Sequence, residues 1–149
     1  MDRECDVVVI GAGPAGEVAA GRLAKQGKRV VLVERELVGG ECSYYACMPS
    51  KALLRPAEVL REVARIPGAT QAVAGRLDVV AALSRRDEVI HNLSDDSQLP
   101  WLESRGIELV RGQAKLEGTR RLRVGDDLLV ARDAVIIACL LYTSDAADD

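Results

Sequence analysis

The sequence predicts an α/β fold built on a parallel sheet, with a glycine-rich βαβ unit and a small antiparallel β-meander. Three observations carry this. Two short apolar runs, residues 5–10 and 29–34, bracket a helical pattern at the roughly 30-residue span of a parallel βαβ unit. The first run ends in the turn Gly11-Ala12-Gly13-Pro14-Ala15-Gly16. From Ile107 the hydrophobic period shifts from helical spacing toward two.

Taken in order, Cys5-Asp6-Val7-Val8-Val9-Ile10 is an apolar run closed by glycine, the pattern of a buried strand. After the turn, Val18, Ala19, Leu23 and Ala24 mark one face of a helix reaching to about Gln26, and Gly27 stops it. Arg29 to Glu34 is a second buried strand. Gly39-Gly40 closes a loop and introduces a helical stretch from near Cys42 to Arg65, interrupted in its first part by Pro49 and ended by Pro67-Gly68. A second helix is expected over Asp78 to Leu93, then a polar loop at Ser94–Gln98 and a short helix around Trp101. Short strands are expected at Ile107–Arg111, Leu122–Val124, Leu128–Ala131 and Ala134–Ala138, with Arg120-Arg121 and Asp126-Asp127 at hairpin polar positions.

Composition narrows the function classes. With 149 residues, 48% hydrophobic and 29% charged, the chain has room for one globular domain with a real core. Phe is absent and there is one Trp, so Val, Leu, Ile and Ala fill that core. No apolar run reaches the ~18 residues of a membrane span, and the opening Met1-Asp2-Arg3-Glu4 is too acidic for a signal peptide. The expected location is cytoplasmic. The net charge of −3 is carried by Asp145, Asp148 and Asp149; without them acids and bases balance. A neutral body without a basic stripe argues against a nucleic-acid partner.

The glycine turn has the context of a dinucleotide site: a strand before it, a helix after it, and an acid closing the next strand. Gly11 permits the tight turn, Gly13 lets the backbone approach a pyrophosphate, and Gly16 allows close helix–strand packing. The helix N-terminus, opened by Pro14 and Ala15, offers free N–H groups to phosphate. Glu34, 18 residues beyond Gly16, can accept hydrogen bonds from ribose hydroxyls and disfavours a 2′-phosphate. A glycine turn that only packs a helix on a sheet is the competing reading, and the context weighs against it.

Cys42 and Cys47 admit three readings: a redox disulfide, half of a metal site, or two buried thiols. In an ideal helix residues five apart lie ~8.6 Å apart at Cα, beyond the ~7 Å a disulfide tolerates. A bridge therefore requires an irregular first turn, for which Gly39-Gly40 supplies freedom. Such a bridge is strained and reducible, suited to turnover, and a helix N-terminus lowers the pKa of a released thiol. Zinc is a poor alternative, because Cys5, His91 and Cys139 form no second close pair. Cys5 reads as a core thiol, His91 as part of a solvated face and Trp101 as loop packing.

The run Gly39-Gly40-Glu41-Cys42-Ser43-Tyr44-Tyr45-Ala46-Cys47-Met48-Pro49-Ser50-Lys51, with Gly11–Gly16 and Glu34 before it, resembles the N-terminal part of the class I pyridine nucleotide–disulfide oxidoreductases. The family includes dihydrolipoamide dehydrogenase and the glutathione, mycothione and mercuric reductases. The resemblance covers residues 5–138 and implies a Rossmann-like FAD-binding domain over 1–138, incomplete at its C-terminal side. It implies that FAD sits on Gly11, Gly13, Pro14, Ala15, Gly16, Glu34, Arg35, Gly40, Glu41, Cys42, Lys51, Gly112 and Ala114. By the same resemblance Cys42 exchanges with the substrate disulfide and Cys47 faces the flavin as a charge-transfer thiolate. Lys51 approaches the flavin N5 edge, and the alanine of Gly112-Gln113-Ala114 meets the adenine.

The implied reaction passes electrons from NAD(P)H through FAD to the Cys42–Cys47 disulfide and on to a small disulfide, or runs in reverse with dihydrolipoamide. NAD(P)H, the dimer contacts of a homodimer and a His–Glu acid–base pair belong to family domains that do not match this chain. Two alternatives stand beside this reading: a non-catalytic dinucleotide-binding redox switch, and metal-ion reduction like that of mercuric reductase. Tyr44 and Ala46 replace an Asn and a Gly common in the family, and Tyr45 adds a second ring, so substrate identity does not carry over. Residues 139–149, "CLLYTSDAADD", stand where the family has an Ala-Thr-Gly turn and resemble a translated sequencing adapter. They are expected to be a non-native tail without function, the fragment alone inactive; a natural acidic tail is the alternative.

Overall fold

The computed structural model of the protein describes residues 2–139. Leu140 to Asp149, most of the expected tail, lie outside the described residues. The chain forms two compact units, one comprising residues up to Gly40 and from Asp95 onward, the other Glu41–Ser94.

The first unit is a six-stranded sheet of β1 (Asp2–Ile10), β2 (Val30–Glu34), β3 (Glu108–Arg111), β4 (Ala114–Gly118), β5 (Arg121–Val124) and β6 (Asp127–Ile137), in the order β3-β2-β1-β6-β5-β4. β3, β2, β1 and β6 run parallel; β5 and β4 add an antiparallel meander. This is the expected α/β architecture with a parallel sheet, a glycine-rich βαβ unit and a small meander, and it is Rossmann-like. Helix α1 (Pro14–Lys25) joins β1 to β2 and buries Gly16 and Ala20. The short α5 (Leu99–Glu103) precedes β3.

The sheet packs on both faces. Val8, Val31, Val33, Leu122 and Leu129 build one core cluster, together with Cys5, the expected core thiol. Val7, Val9, Ala20, Leu32, Val38 and Leu102 build the other. Trp101 lies in α5, the short helix expected around it, and its ring fills the space before Gly21 of α1 rather than packing a loop: a Cβ there would meet the indole at 3.0 Å.

Two expectations about strands need correction. The runs Leu128–Ala131 and Ala134–Ala138 belong to one strand, β6. Arg132 and Asp133 break the apolar pattern, but the pairing with β1 only shifts there, from Cys5↔Ala131 to Val7↔Ala134, as at a β-bulge. β4 lies outside the strands expected from periodicity. It is largely exposed and polar, and its ladder to β5 rather than any buried face defines it.

The second unit holds α2 (Gly40–Tyr44), α3 (Cys47–Val63), a 3₁₀ turn at Thr70–Ala72 and α4 (Val79–Val89). α3 and α4 pack together. The helix expected from Cys42 to Arg65 is two helices, and the break is not at Pro49. Pro49 sits in the first turn of α3, where its missing N–H has no helical partner to lose. α4 is capped by Asp78, whose carboxylate accepts the Ala81 N–H at 3.0 Å. It ends before the expected Leu93, because His91, Asn92 and Leu93 all take positive φ. His91 is exposed, as expected for a solvated position.

Candidate functional site: a glycine cradle and a dithiol segment

The apolar β1 delivers the chain to Gly11, which turns at φ +95° and donates its N–H to Val33 O at 2.8 Å. A Cβ on Gly16 would lie 1.8 Å from Gly11 O, so only glycine lets α1 close onto the turn. Gly13 differs. Its φ is an ordinary −73°, and a Cβ there would meet nothing within 4 Å. The space before Gly13 is open, while Pro14 and Ala15 stand exposed at the start of α1. This open cradle at the N-terminus of a twelve-residue helix fits the pyrophosphate of a dinucleotide.

Glu34, 9% exposed, ends β2 and gathers three segments. Oε2 accepts the Ala12 N–H of the glycine turn at 2.7 Å, and Oε1 accepts the Glu36 N–H at 2.8 Å. Its backbone carbonyl accepts the Gly112 N–H at 2.9 Å, which ties the β3–β4 turn, and so Ala114 at the start of β4, to the same point. Each carboxylate oxygen retains a lone pair for a ribose hydroxyl. Arg35 turns outward and pairs with Glu36 at 3.2 Å.

The loop after β2 rests on the glycine turn. Gly39 donates its N–H to Ala12 O at 2.7 Å, and a Cβ on Gly40, which has φ +58°, would lie 2.8 Å from Gly13 Cα. A clamp that sequence reasoning missed holds this loop. Buried Asp95 accepts the Val38 N–H at 2.7 Å and Arg111 Nη2 at 2.6 Å, while Arg111 Nη1 donates to Glu36 O at 2.6 Å. No sequence signal marks it, since Asp95 lies 57 residues from Val38 and 16 from Arg111.

In the second unit, Glu41 and Cys42 lie in α2 and Cys47 opens α3. The irregularity needed to bring the thiols together falls between the helices, at Ala46 with φ −120° and ψ −82°, rather than at Gly39-Gly40. Tyr45 and Ala46 both donate their N–H groups to Glu41 O, at 2.9 and 2.7 Å, so the last ordinary turn of α2 is followed by a wider closure over five residues. Cys42 and Cys47 stand as free thiols that interact side chain to side chain.

The pKa of Cys42 departs from that of an ordinary thiol. It is pushed up, first by the hydrogen bond with Cys47, then by burial and by the charge of Cys47, while Lys51 opposes the shift. Lys51, one turn into α3, lines a 430 Å³ cleft with Met48, Ala52, Leu54 and Val89. The expected site residues thus fall into two groups: the glycine turn, Glu34, Arg35, Gly40, Gly112 and Ala114 in the first unit, and Glu41, Cys42, Cys47 and Lys51 in the second. Among the described residues no helix is long and apolar enough to cross a membrane, and no three His, Cys, Asp or Glu residues converge as metal ligands.

Comparison with known proteins places these features. The family model for pyridine nucleotide-disulphide oxidoreductases matches residues 5–139. The dihydrolipoyl dehydrogenase 3 of Pseudomonas aeruginosa is 37% identical over 147 residues, covering 91% of this chain and 31% of its own length. The dihydrolipoyl dehydrogenase of Acholeplasma laidlawii is 29% identical over 138 residues, covering 91% of this chain and 41% of that protein. A mercuric reductase of Lysinibacillus sphaericus is 28% identical, covering 88% of this chain and 24% of its own. Among solved structures, the Cu(II) complex of the HOCl-induced flavoprotein disulfide reductase RclA from Escherichia coli superposes with a TM-score of 0.71 at 27% identity, covering 91% of this chain and 29% of that one. The chain therefore spans well under half the length of these relatives.

Proposed function

The chain belongs to the pyridine nucleotide-disulphide oxidoreductase family, and from that premise we propose that it carries the FAD-binding and dithiol portion of an NAD(P)-dependent flavoprotein disulfide oxidoreductase. The family's cofactors are FAD and a pyridine nucleotide. The open cradle at Gly13 and the N-terminus of α1 would hold the pyrophosphate, and Glu34 the ribose. Gly112 and Ala114 would border the adenine, while Arg35 and Gly40 complete the surroundings in this unit. FAD, when bound, supplies two-electron transfer between a nicotinamide and the cysteine pair.

The chemistry of the chain's own residues follows from the dithiol. The Cys42 thiolate, favoured by the charge of Lys51, attacks one sulfur of a small disulfide and releases the first thiolate. Cys47 then attacks Cys42 Sγ, breaks the mixed disulfide and releases the second thiolate. Two electrons leave the pair, the Cys42–Cys47 disulfide forms, and the leaving thiolates take up the two protons the cysteines gave. Turnover with NAD(P)H is assigned to the full-length parent, a cytoplasmic homodimer, and not to these residues alone. Residues 139–149 are assigned no function.

The observation that carries this reading is the helix break at Ala46, which lets two thiols five residues apart interact. Its test is oxidation of the reduced chain with a stoichiometric small disulfide, followed by peptide mapping. An internal Cys42–Cys47 bridge without a retained adduct is expected; separate stable adducts on the two thiols would overturn the reading. The mercuric reductase relatives favour a second reading, in which the pair delivers its electrons to a soft metal ion as substrate. The acceptor that reoxidises the reduced parent, disulfide or Hg(II), separates the two.

A further inference from the structure

We propose that Tyr45 is a specificity-determining residue of the cysteine pair, selecting small disulfides whose flanking groups are apolar or aromatic. The inference rests on the reading of Cys42 and Cys47 as a redox dithiol and adds the substrate class to it.

Tyr45 occupies the non-helical turn between α2 and α3, with a thiol on either side. The two adjacent tyrosines have opposite fates: Tyr44 is 2% exposed and Tyr45 is 47% exposed. Their rings meet edge to face, with centroids 6.5 Å apart and planes at 63°. The exposed ring thus packs by its edge or face against the buried one. The backbone beneath it is held by the Tyr45 N–H to Glu41 O at 2.9 Å. A large aromatic surface is therefore exposed in the short segment that joins the two thiols, next to an alanine that adds almost no bulk.

Charge does not choose between flanking groups here, because exposed Glu41 neighbours Cys42 while the Lys51 cation also acts on it. A disulfide with neutral apolar or aryl flanks gains contact with the Tyr45 ring and with exposed Met48. The exchange itself is the balanced step given above, and Tyr45 forms and breaks no bond in it.

The test is single-turnover oxidation of the reduced chain by three probes: dithiodipyridine, neutral and aryl; glutathione disulfide, anionic; and hydroxyethyl disulfide, small, neutral and hydrophilic. Comparing each variant with wild type, probe by probe, cancels intrinsic leaving-group reactivity. Tyr45→Ala is expected to slow dithiodipyridine about fivefold relative to hydroxyethyl disulfide, the worth of one aromatic contact. The glutathione disulfide rate should keep its wild-type ratio to hydroxyethyl disulfide. Tyr45→Phe should retain the wild-type ratios. Equal slowing of all three probes, or no change in any ratio, overturns the role of Tyr45 while leaving the dithiol reading intact. Failure of wild type to form the internal disulfide with any probe overturns both.

Discussion

The carboxylate of Glu34, at the end of β2, accepts the backbone N–H of Ala12 inside the glycine turn at 2.7 Å. Its second oxygen holds Glu36 N–H at 2.8 Å. The acid expected to receive a ribose is therefore also the anchor of the glycine turn. Glu34→Ala leaves two N–H groups without their acceptor and should cost about 2 kcal/mol or more. Glu34→Gln keeps one acceptor oxygen but turns an amide donor toward the other N–H, and should cost less. Urea unfolding of the two variants measures this order; unchanged stability in Glu34→Ala would show that the turn holds its shape alone.

Gly13 and Gly16 separate binding from folding. A Cβ on Gly13 meets only open space at an ordinary φ, so Gly13→Ala should leave thermal stability within about 1 kcal/mol of wild type. The same methyl enters the cradle, and FAD affinity should fall about tenfold or more. Gly16→Ala instead drives a Cβ to 1.8 Å from Gly11 O and should unfold or severely destabilise the unit. Melting curves with and without FAD distinguish the two; a Gly13→Ala chain that binds FAD normally would remove the pyrophosphate from this turn.

What was legible in the sequence was what local pattern determines. The β1–α1–β2 unit follows from apolar runs and a glycine stop, and the roles of Gly11 and Gly16 follow from spacing because a missing Cβ is a local property. Helix geometry required an irregular turn only if Cys42 and Cys47 were to bridge, and the place of the break was not legible. Ala46 has neither the freedom of glycine nor the constraint of proline, and its conformation is fixed by two N–H groups converging on Glu41 O. β6 was hidden because Arg132-Asp133 breaks the pattern where only the register shifts. Asp95 and Arg111 were invisible because their contacts are long in sequence and carry no motif.

That clamp makes a prediction of its own. Asp95 is buried and takes charge-assisted bonds from Val38 N and Arg111, whereas Arg111 is partly exposed. Asp95→Ala orphans a buried N–H and should cost about 1.5–3 kcal/mol. Arg111→Met leaves Asp95 its bond to Val38 and should cost less, since solvent screens part of the pair. Denaturant midpoints of the two variants test the order, and an Arg111→Met loss as large as that of Asp95→Ala would place the weight of the clamp on the ion pair instead.

Cys42 should titrate late. Its pKa is raised, chiefly by the hydrogen bond with Cys47, so between its ordinary and its raised value less of it is thiolate than in a free cysteine. Only the thiolate is alkylated, so the rate of iodoacetamide labelling at Cys42 should climb with pH at a higher midpoint than that of an unstructured thiol. Cys47→Ala removes the leading cause and also the charge of its partner, and should move the midpoint down. Lys51→Met removes the one opposing influence and should move it up. Peptide-resolved labelling across pH reads both shifts. A midpoint that stays in place in Cys47→Ala would mean that burial rather than the partner thiol governs Cys42, and the two sulfurs would then lack the contact that the exchange step requires.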